Sequence, residues 1–439
     1  MEQEELKRKL MGLWEKTTHN SKELISALFD YYFDIDLIEY KEMEGKVVSA
    51  LFGIPYTFGY GKHNLKGLYL ISLSSEEGYR KKGFLAELLN NFNERVKNCY
   101  DFTFLVPHTE LMADYFGSQG YLSSFFILEE RYTPLHDFKN DYLLSLTDSD
   151  ERIRDLKKNL IDRIVVDFFE SDKELTKSQL VDFIQSIEKK SSSAVNLMHT
   201  TKDLEYLLHE LNIRNLTSCV AIDSDGKITG VAFIHKEEMK RIKVVAYYVS
   251  DTCSYYALLD FIKRHYPDFS ISVNTSEPKY QSHSLIQQTY ASENPNGGDL
   301  DNTFSTVEIA FNINRLLQPL GMVRLLNFHN IIKYIAATRS DVDFKLSIRD
   351  AFIKNSDSQL QKNDDTNKSD ISSKNIVYVV KNGKCELEYK EHIHSDRQIL
   401  NLSAKEISEL LLRKNDSSNL IMEAFGIPRL NLQMRLLPV

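Results

Sequence analysis

Three cations and a glycine, Arg80-Lys81-Lys82-Gly83, stand between an apolar, β-rich run, "GLYLISLSS" (Gly67–Ser75), and an amphipathic run that begins at Phe84. That order suits anion binding. The amino-terminal end of a helix leaves backbone N–H groups unpaired, and they point outward along the helix dipole. Set beside the carboxyl end of a strand, such an end holds phosphate. A glycine in the turn lets the backbone approach the ligand closely, and cationic side chains add charge without strict geometry. Without a ligand the same charges sit badly, because Lys and Arg favour the other end of a helix. An ordinary solvated helix start with a basic first turn is the plain alternative, and this stretch alone does not decide between them.

The elements that must position this turn follow a readable order. Apolar residues Leu6, Leu10, Leu13 and Trp14, then Leu24, Leu28 and Tyr32, recur at helical spacing and predict two helices, the second capped by Asn20 or Ser21. In "IEYKEMEGKVVSALFGIPYTFGY", Glu44-Gly45 is a tight-turn signal between two strands. After the basic turn and its helix, "YDFTFLVP" reads as a strand ending at Pro107. "ELMADYFGSQGY" reads as a short helix stopped by Gly120, and "LSSFFILEERY" as a last strand.

The middle of the chain repeats this plan. "CVAIDSDGKITGVAFI" (Cys219–Ile234) predicts a hairpin turning at Asp225-Gly226. "IKVVAYYVSDTCSYYALLDFIKRHYPDFSISV" then predicts strand, helix, strand. This is a divergent internal duplication. Its turn, Ser250-Asp251-Thr252-Cys253, has no glycine and no basic triplet, and an aspartate there is wrong for holding a diphosphate.

From about Pro319 the character changes. "GMVRLLNFHNIIKYIAAT" begins a strand and a helix; "DFKLSIRDAFI" and "NIVYVVKNGKCELEYK" alternate as strands do. Between them, residues 355–375 are polar and read as a flexible loop. "NLSAKEISELLLRK" carries a capping box, Ser403 to Glu406. The chain ends in an apolar "MRLLPV", which predicts a packed tail rather than a loose one.

The 439 residues exceed one ordinary domain. A net charge of −9 argues against nucleic acid, whose phosphates demand a basic face. It is compatible with a small cationic partner. The four cysteines, Cys99, Cys219, Cys253 and Cys385, form no metal-ligand spacing and read as reduced core residues of a cytoplasmic protein. No signal-peptide pattern and no membrane span is expected.

The stretch from Arg80 resembles motif A of the GCN5-related N-acetyltransferases, R/Q-x-x-G-x-G/A. Arg80 fills the first place and Gly83 the central glycine, while Leu85 departs from the final small residue. Pro107 to Tyr121 resembles the strand and helix that follow in that family. The order of elements, with "GMVRLL" and "LNLSAKEISELL", resembles the Eis-like (enhanced intracellular survival) branch. That resemblance implies a mixed α/β fold of tandem acetyltransferase units with a sterol-carrier-protein-like end. It gives residues 1–147 as the unit holding acetyl-CoA, 148–316 as a degenerate second unit and 317–439 as the carrier-like unit. It also implies a homo-oligomer, with a hexamer as one form.

The resemblance further implies transfer from acetyl-CoA to a primary amine of a small cationic acceptor: an aminoglycoside-like compound, a polyamine or a lysine side chain. The pantetheine arm would lie between splayed strands, bonded by backbone of Leu73, Ser74 and Ser75. The diphosphate would sit on N–H groups of Lys81, Lys82, Gly83, Phe84 and Leu85, with Arg80 beside it. The family's usual proton donor, a tyrosine, has Phe116 at its place here. Tyr115 is adjacent, about 100° round the helix, and Val439, as a terminal carboxylate, is the branch's other actor. The competing reading is a non-catalytic acyl-CoA or lipid-binding protein on the same scaffold. No metal is expected: His392 and His394 share a strand face but lack further ligands. His108, Glu76 and Glu77 read first as ordinary loop residues.

Overall fold

The computed structural model describes residues 2–18, 20–60, 62–138, 163–168, 175–190, 195–275, 314–348, 375–390, 399–412 and 432–433. The expected boundary at 147/148, the loop 355–375 up to its last residue, His392, His394 and Val439 lie outside these.

Two helices open the chain, α1 (Glu2–Thr17) and α2 (Lys22–Tyr32). Ser21 caps the second, its side chain accepting the Leu24 N–H at 3.2 Å. Strands β1 (Ile38–Met43) and β2 (Lys46–Tyr60) follow, joined where Glu44 and Gly45 both adopt positive φ, as a tight hairpin requires. Next come β3 (His63–Ser75), α3 (Phe84–Val96), β4 (Phe102–Leu105), α4 (Glu110–Ser118) and β5 (Leu122–Tyr132). Gly120, at φ +86°, ends the α4 turn as its position suggests.

The middle segment supplies β6 (Ile164–Asp167), α5 (Lys177–Lys190), β7 (Val195–Met198), α6 (Thr201–Ile213), β8 (Thr217–Ile222), β9 (Ile228–Glu237), β10 (Arg241–Val249), α7 (Thr252–His265) and β11 (Ser270–Thr275). Then follow β12 (Asn314–Leu325), α8 (Phe328–Thr338), β13 (Phe344–Ile348), β14 (Asn375–Lys381), β15 (Lys384–Lys390), β16 (Ile399–Leu402), α9 (Ala404–Leu412) and β17 (Leu432–Gln433). The capping box of α9 is formed: Glu406 accepts the Ser403 N–H at 2.7 Å and Ser403 accepts the Glu406 N–H at 3.2 Å.

Thirteen strands share one mixed sheet, in the order β17-β7-β2-β3-β4-β12-β5-β11-β10-β9-β8-β6, with β1 added on β2. The same pairing order recurs in the first and middle segments. β2 and β3 are antiparallel and β3 and β4 parallel; β9 and β10 are antiparallel and β10 and β11 parallel. β5 and β11 pair antiparallel and join the two copies. β12, within which the expected 316/317 boundary falls, pairs with both β4 and β5. A separate four-stranded sheet runs β15-β14-β13-β16.

Alternation assigns each strand face to one core. On β3, Leu68 and Leu70 join Leu88, Leu89 and Phe92 of α3. Leu65 and Tyr69 face the other way, into the core that holds Trp14, Phe29 and Phe52. Cys219 and Cys253 are buried as expected, but Cys99 is exposed, because it follows the last turn of α3 rather than lying within an apolar face. Among the described residues no helix is long and apolar enough to cross a membrane.

Candidate active site

β3 and β4 pair only over Gly67–Tyr69 and Phe102–Phe104. Past Tyr69, β3 stays on β2 as far as Ser75, while β4 ends at Leu105. The two parallel strands therefore part past Tyr69, and the rest of β3 pairs with β2 alone. In that stretch the β2–β3 register slips: Ala50 faces Ser74 but Phe52 faces Ile71, so Ser72 and Leu73 together oppose Leu51. Ser72 takes φ +51°. This is a β-bulge, which bends the strand and leaves its added residue out of the ladder. An extended ligand lying in such a fork can bond to main chain as an added strand does. Leu73 and Ser75 are half-buried there; Ser74 is buried and its carbonyl accepts the Ser49 hydroxyl at 3.0 Å.

The chain then makes a short 3-10 turn, Glu77–Tyr79, and enters α3 through Gly83 at φ +81°. Lys81 is also left-handed, at φ +61°. Such alternation is what anion-binding backbone nests are made of. No side chain caps α3. A Cβ placed on Gly83 would meet nothing within 4 Å, so the space before the helix is open. Arg80 folds back, its Nε donating to the Ser75 carbonyl at 3.2 Å, and Lys82 lies over the Tyr79 ring at 4.6 Å. Arg80, Lys81 and Lys82 are exposed; Phe84 and Leu85 are half-buried.

The second copy has both features closed. Asp251 caps α7, accepting from the Ser254 N–H at 2.8 Å and its hydroxyl at 3.0 Å, and Arg163 donates to the same carboxylate at 3.1 Å. Where β10 and β11 part beyond Val244 and Val273, the Tyr247 and Thr275 hydroxyls bond at 2.8 Å and bridge the gap. A helix start holding its own carboxylate has no place for a phosphate.

Phe116 is fully buried against Tyr121 and cannot face a ligand. Tyr115 is half-buried, on the core cluster that also holds Phe116 and Leu88, Leu89 and Phe92 of α3. Burial raises its hydroxyl above the ordinary tyrosine value. His108 and Glu77 are exposed, and Glu76 pairs with Lys16 at 3.5 Å.

The opposite face carries a group that sequence reading missed. The Tyr32 hydroxyl donates to Asp203 at 3.0 Å. His199 bonds Glu188 twice, through Nδ1 at 2.6 Å and backbone N–H at 2.9 Å, with the Tyr56 ring edge-on to the imidazole. Tyr69, the last β3 residue paired with β4, stacks on Phe104. Burial, then Glu210, raises the Tyr69 hydroxyl. Thr200 and Asp203 form a capping box that starts α6, a signal present in the sequence; the partners of these acids, up to 171 residues away, have none. Replacing His199 by Ala would leave the buried Glu188 carboxylate without its ring partner. The backbone N–H bond to the carboxylate would remain, so the expected loss is about 1–3 kcal/mol in urea unfolding; an unchanged midpoint would show the pair to be dispensable.

No protein-family model matches the chain, and no curated protein matches it either. Solved structures do. A protein from Enterococcus faecalis, a probable N-acyltransferase, is similar at a TM-score of 0.61 and 11% identity, over 96% of this chain and 91% of that one. A GCN5-related N-acetyltransferase from Anabaena variabilis gives 0.58 and 12%, over 98% and 96%. Eis1 from Mycobacterium abscessus gives 0.58 and 10%, over 97% and 91%. At these identities the likeness concerns the fold: a large mixed sheet flanked by helices, of the GCN5-related N-acetyltransferase type, along nearly the whole chain.

Proposed function

We propose that the chain transfers an acyl group, acetyl in the simplest case, from coenzyme A to a primary amine. The observation that carries this is the uncapped, left-handed turn at Lys81–Gly83 beside a fork between two parallel strands. In this reading main-chain N–H groups of Lys81 to Leu85 hold the diphosphate and Leu73–Ser75 holds the pantetheine arm. The thioester then lies in the fork. The amine must lose a proton before it attacks the carbonyl, and the departing thiolate gains one; Tyr115 supplies the latter. We assign the acceptor to the side of Tyr32, Tyr56 and Tyr69, whose rings are themselves buried. Buried Glu188, Asp203 and Glu210 and several tyrosine rings give that face an acidic, aromatic character, which suits a cationic amine. We read residues 1–147 as the active unit, 148–316 as its closed copy and 317–439 as carrier-like.

The experiment is thiol release from acetyl-CoA over a panel of polyamines, aminoglycosides and lysine peptides. Turnover with at least one amine is expected. Phe116, buried where the resemblance puts a tyrosine, favours one other reading: a protein that binds acyl-CoA without turning it over. Stabilisation by coenzyme A with no thiol released over the whole panel would establish that reading. No stabilisation by coenzyme A would remove both.

A further inference from the structure

We infer that Trp14 is a positioning residue that holds the β3 bulge in shape and so keeps the fork open; this rests on the reading of the fork as the acyl-CoA cleft. The bulge has an energetic problem. Ser72 sits at φ +51°, in the left-handed region that costs a residue other than glycine about 1–2 kcal/mol. Strain of this kind persists only where surroundings over-determine it. The surroundings here are specific: the Trp14 indole Nε1–H donates to the Ser72 carbonyl at 3.1 Å.

Each partner of that bond needs the other. Indole is a donor only, and Trp14 is buried, packed on Phe29 at 4.8 Å and Phe52 at 5.9 Å. Its N–H would otherwise be an unpaired buried donor. The Ser72 carbonyl belongs to the added residue of the bulge, which ladder pairing leaves without a fixed partner. The ion pairs that tie α1 to its neighbours, Lys9 with Glu42 of β1 and Lys16 with Glu76 just past β3, are at the surface and contribute little. The indole bond is thus a directional contact from α1 to the residue next to Leu73, the first backbone group assigned to the cofactor arm.

Two readouts test this. Calorimetric titration with coenzyme A measures affinity; hydrogen exchange over residues 70–76 in the ligand-free protein measures the bulge itself. Trp14→Phe keeps an aromatic ring and removes the N–H. It should weaken coenzyme A binding about tenfold, the worth of one such bond, and speed exchange at 72–76. Ile184→Ala, a change in the same core but on α5 rather than against the indole, should lower Tm and leave both readouts near wild type. The double variant Trp14→Phe/Ser72→Gly should regain most of the affinity, because glycine adopts the left-handed conformation without strain.

The inference is overturned if Trp14→Phe matches wild type in exchange, if Ile184→Ala moves both readouts as far, or if glycine at 72 restores nothing. Should wild type itself not bind coenzyme A, the proposed function fails, while the exchange measurements still decide whether Trp14 holds the bulge.

Discussion

Gly83→Asp is expected to remove most of the stabilisation that coenzyme A confers. Three effects act together. Any side chain at φ +81° meets the left-handed penalty of about 1–2 kcal/mol. The new side chain enters the open space before α3, where the diphosphate would lie. Its negative charge takes the helix start as Asp251 does in the second copy. The strain lowers stability with or without ligand; the filled space and the like charge together are expected to cost roughly 3 kcal/mol, about a hundredfold in affinity. Coenzyme A at about 100 times the wild-type dissociation constant should add about 2.7 kcal/mol to the wild type. In the variant, at the same concentration, the gain should fall to about 0.4 kcal/mol. Gly83→Ala separates the contributions: it carries the strain without the charge and should retain part of the shift. An equal shift in wild type and Gly83→Asp would remove the turn from the binding site.

What the sequence disclosed and what it hid divide by range of interaction. Ser21, Glu44-Gly45, Gly120, Asp225-Gly226 and the Ser403–Glu406 box act on backbone within a few residues, so their types sufficed. Asp251 was equally legible, since a carboxylate that caps its own helix excludes a phosphate wherever the helix packs. Ser72 was not. A left-handed residue is usually announced by glycine, and here the conformation is held by an indole 58 residues away. β12 was hidden for a related reason. "GMVRLL" reads as a strand, but nothing in it specifies pairing with β4 and β5, more than 180 residues earlier. The same holds for Tyr32 with Asp203: α2 and α6 are each readable, their contact is not. The fork itself was anticipated only through the resemblance.

Tyr115 carries the second large expectation: Tyr115→Phe should lower kcat about a hundredfold, the scale of losing a positioned proton donor, and leave KM within about twofold. The substitution keeps the ring, which packs beside Phe116 at 5.3 Å, so the fold should hold. The split between kcat and KM matters, because a ring that merely shaped the cleft would change KM instead. The pH profile adds a second check. A donor must be protonated, and burial raises the Tyr115 hydroxyl above its ordinary value. Wild-type kcat should therefore not fall between pH 7 and 9 through loss of this proton; the alkaline limb belongs above pH 10. If Tyr115→Phe keeps wild-type kcat, the thiolate takes its proton from elsewhere. Phe116→Tyr would not restore it, because that side chain points into the packed core against Tyr121 rather than toward the fork.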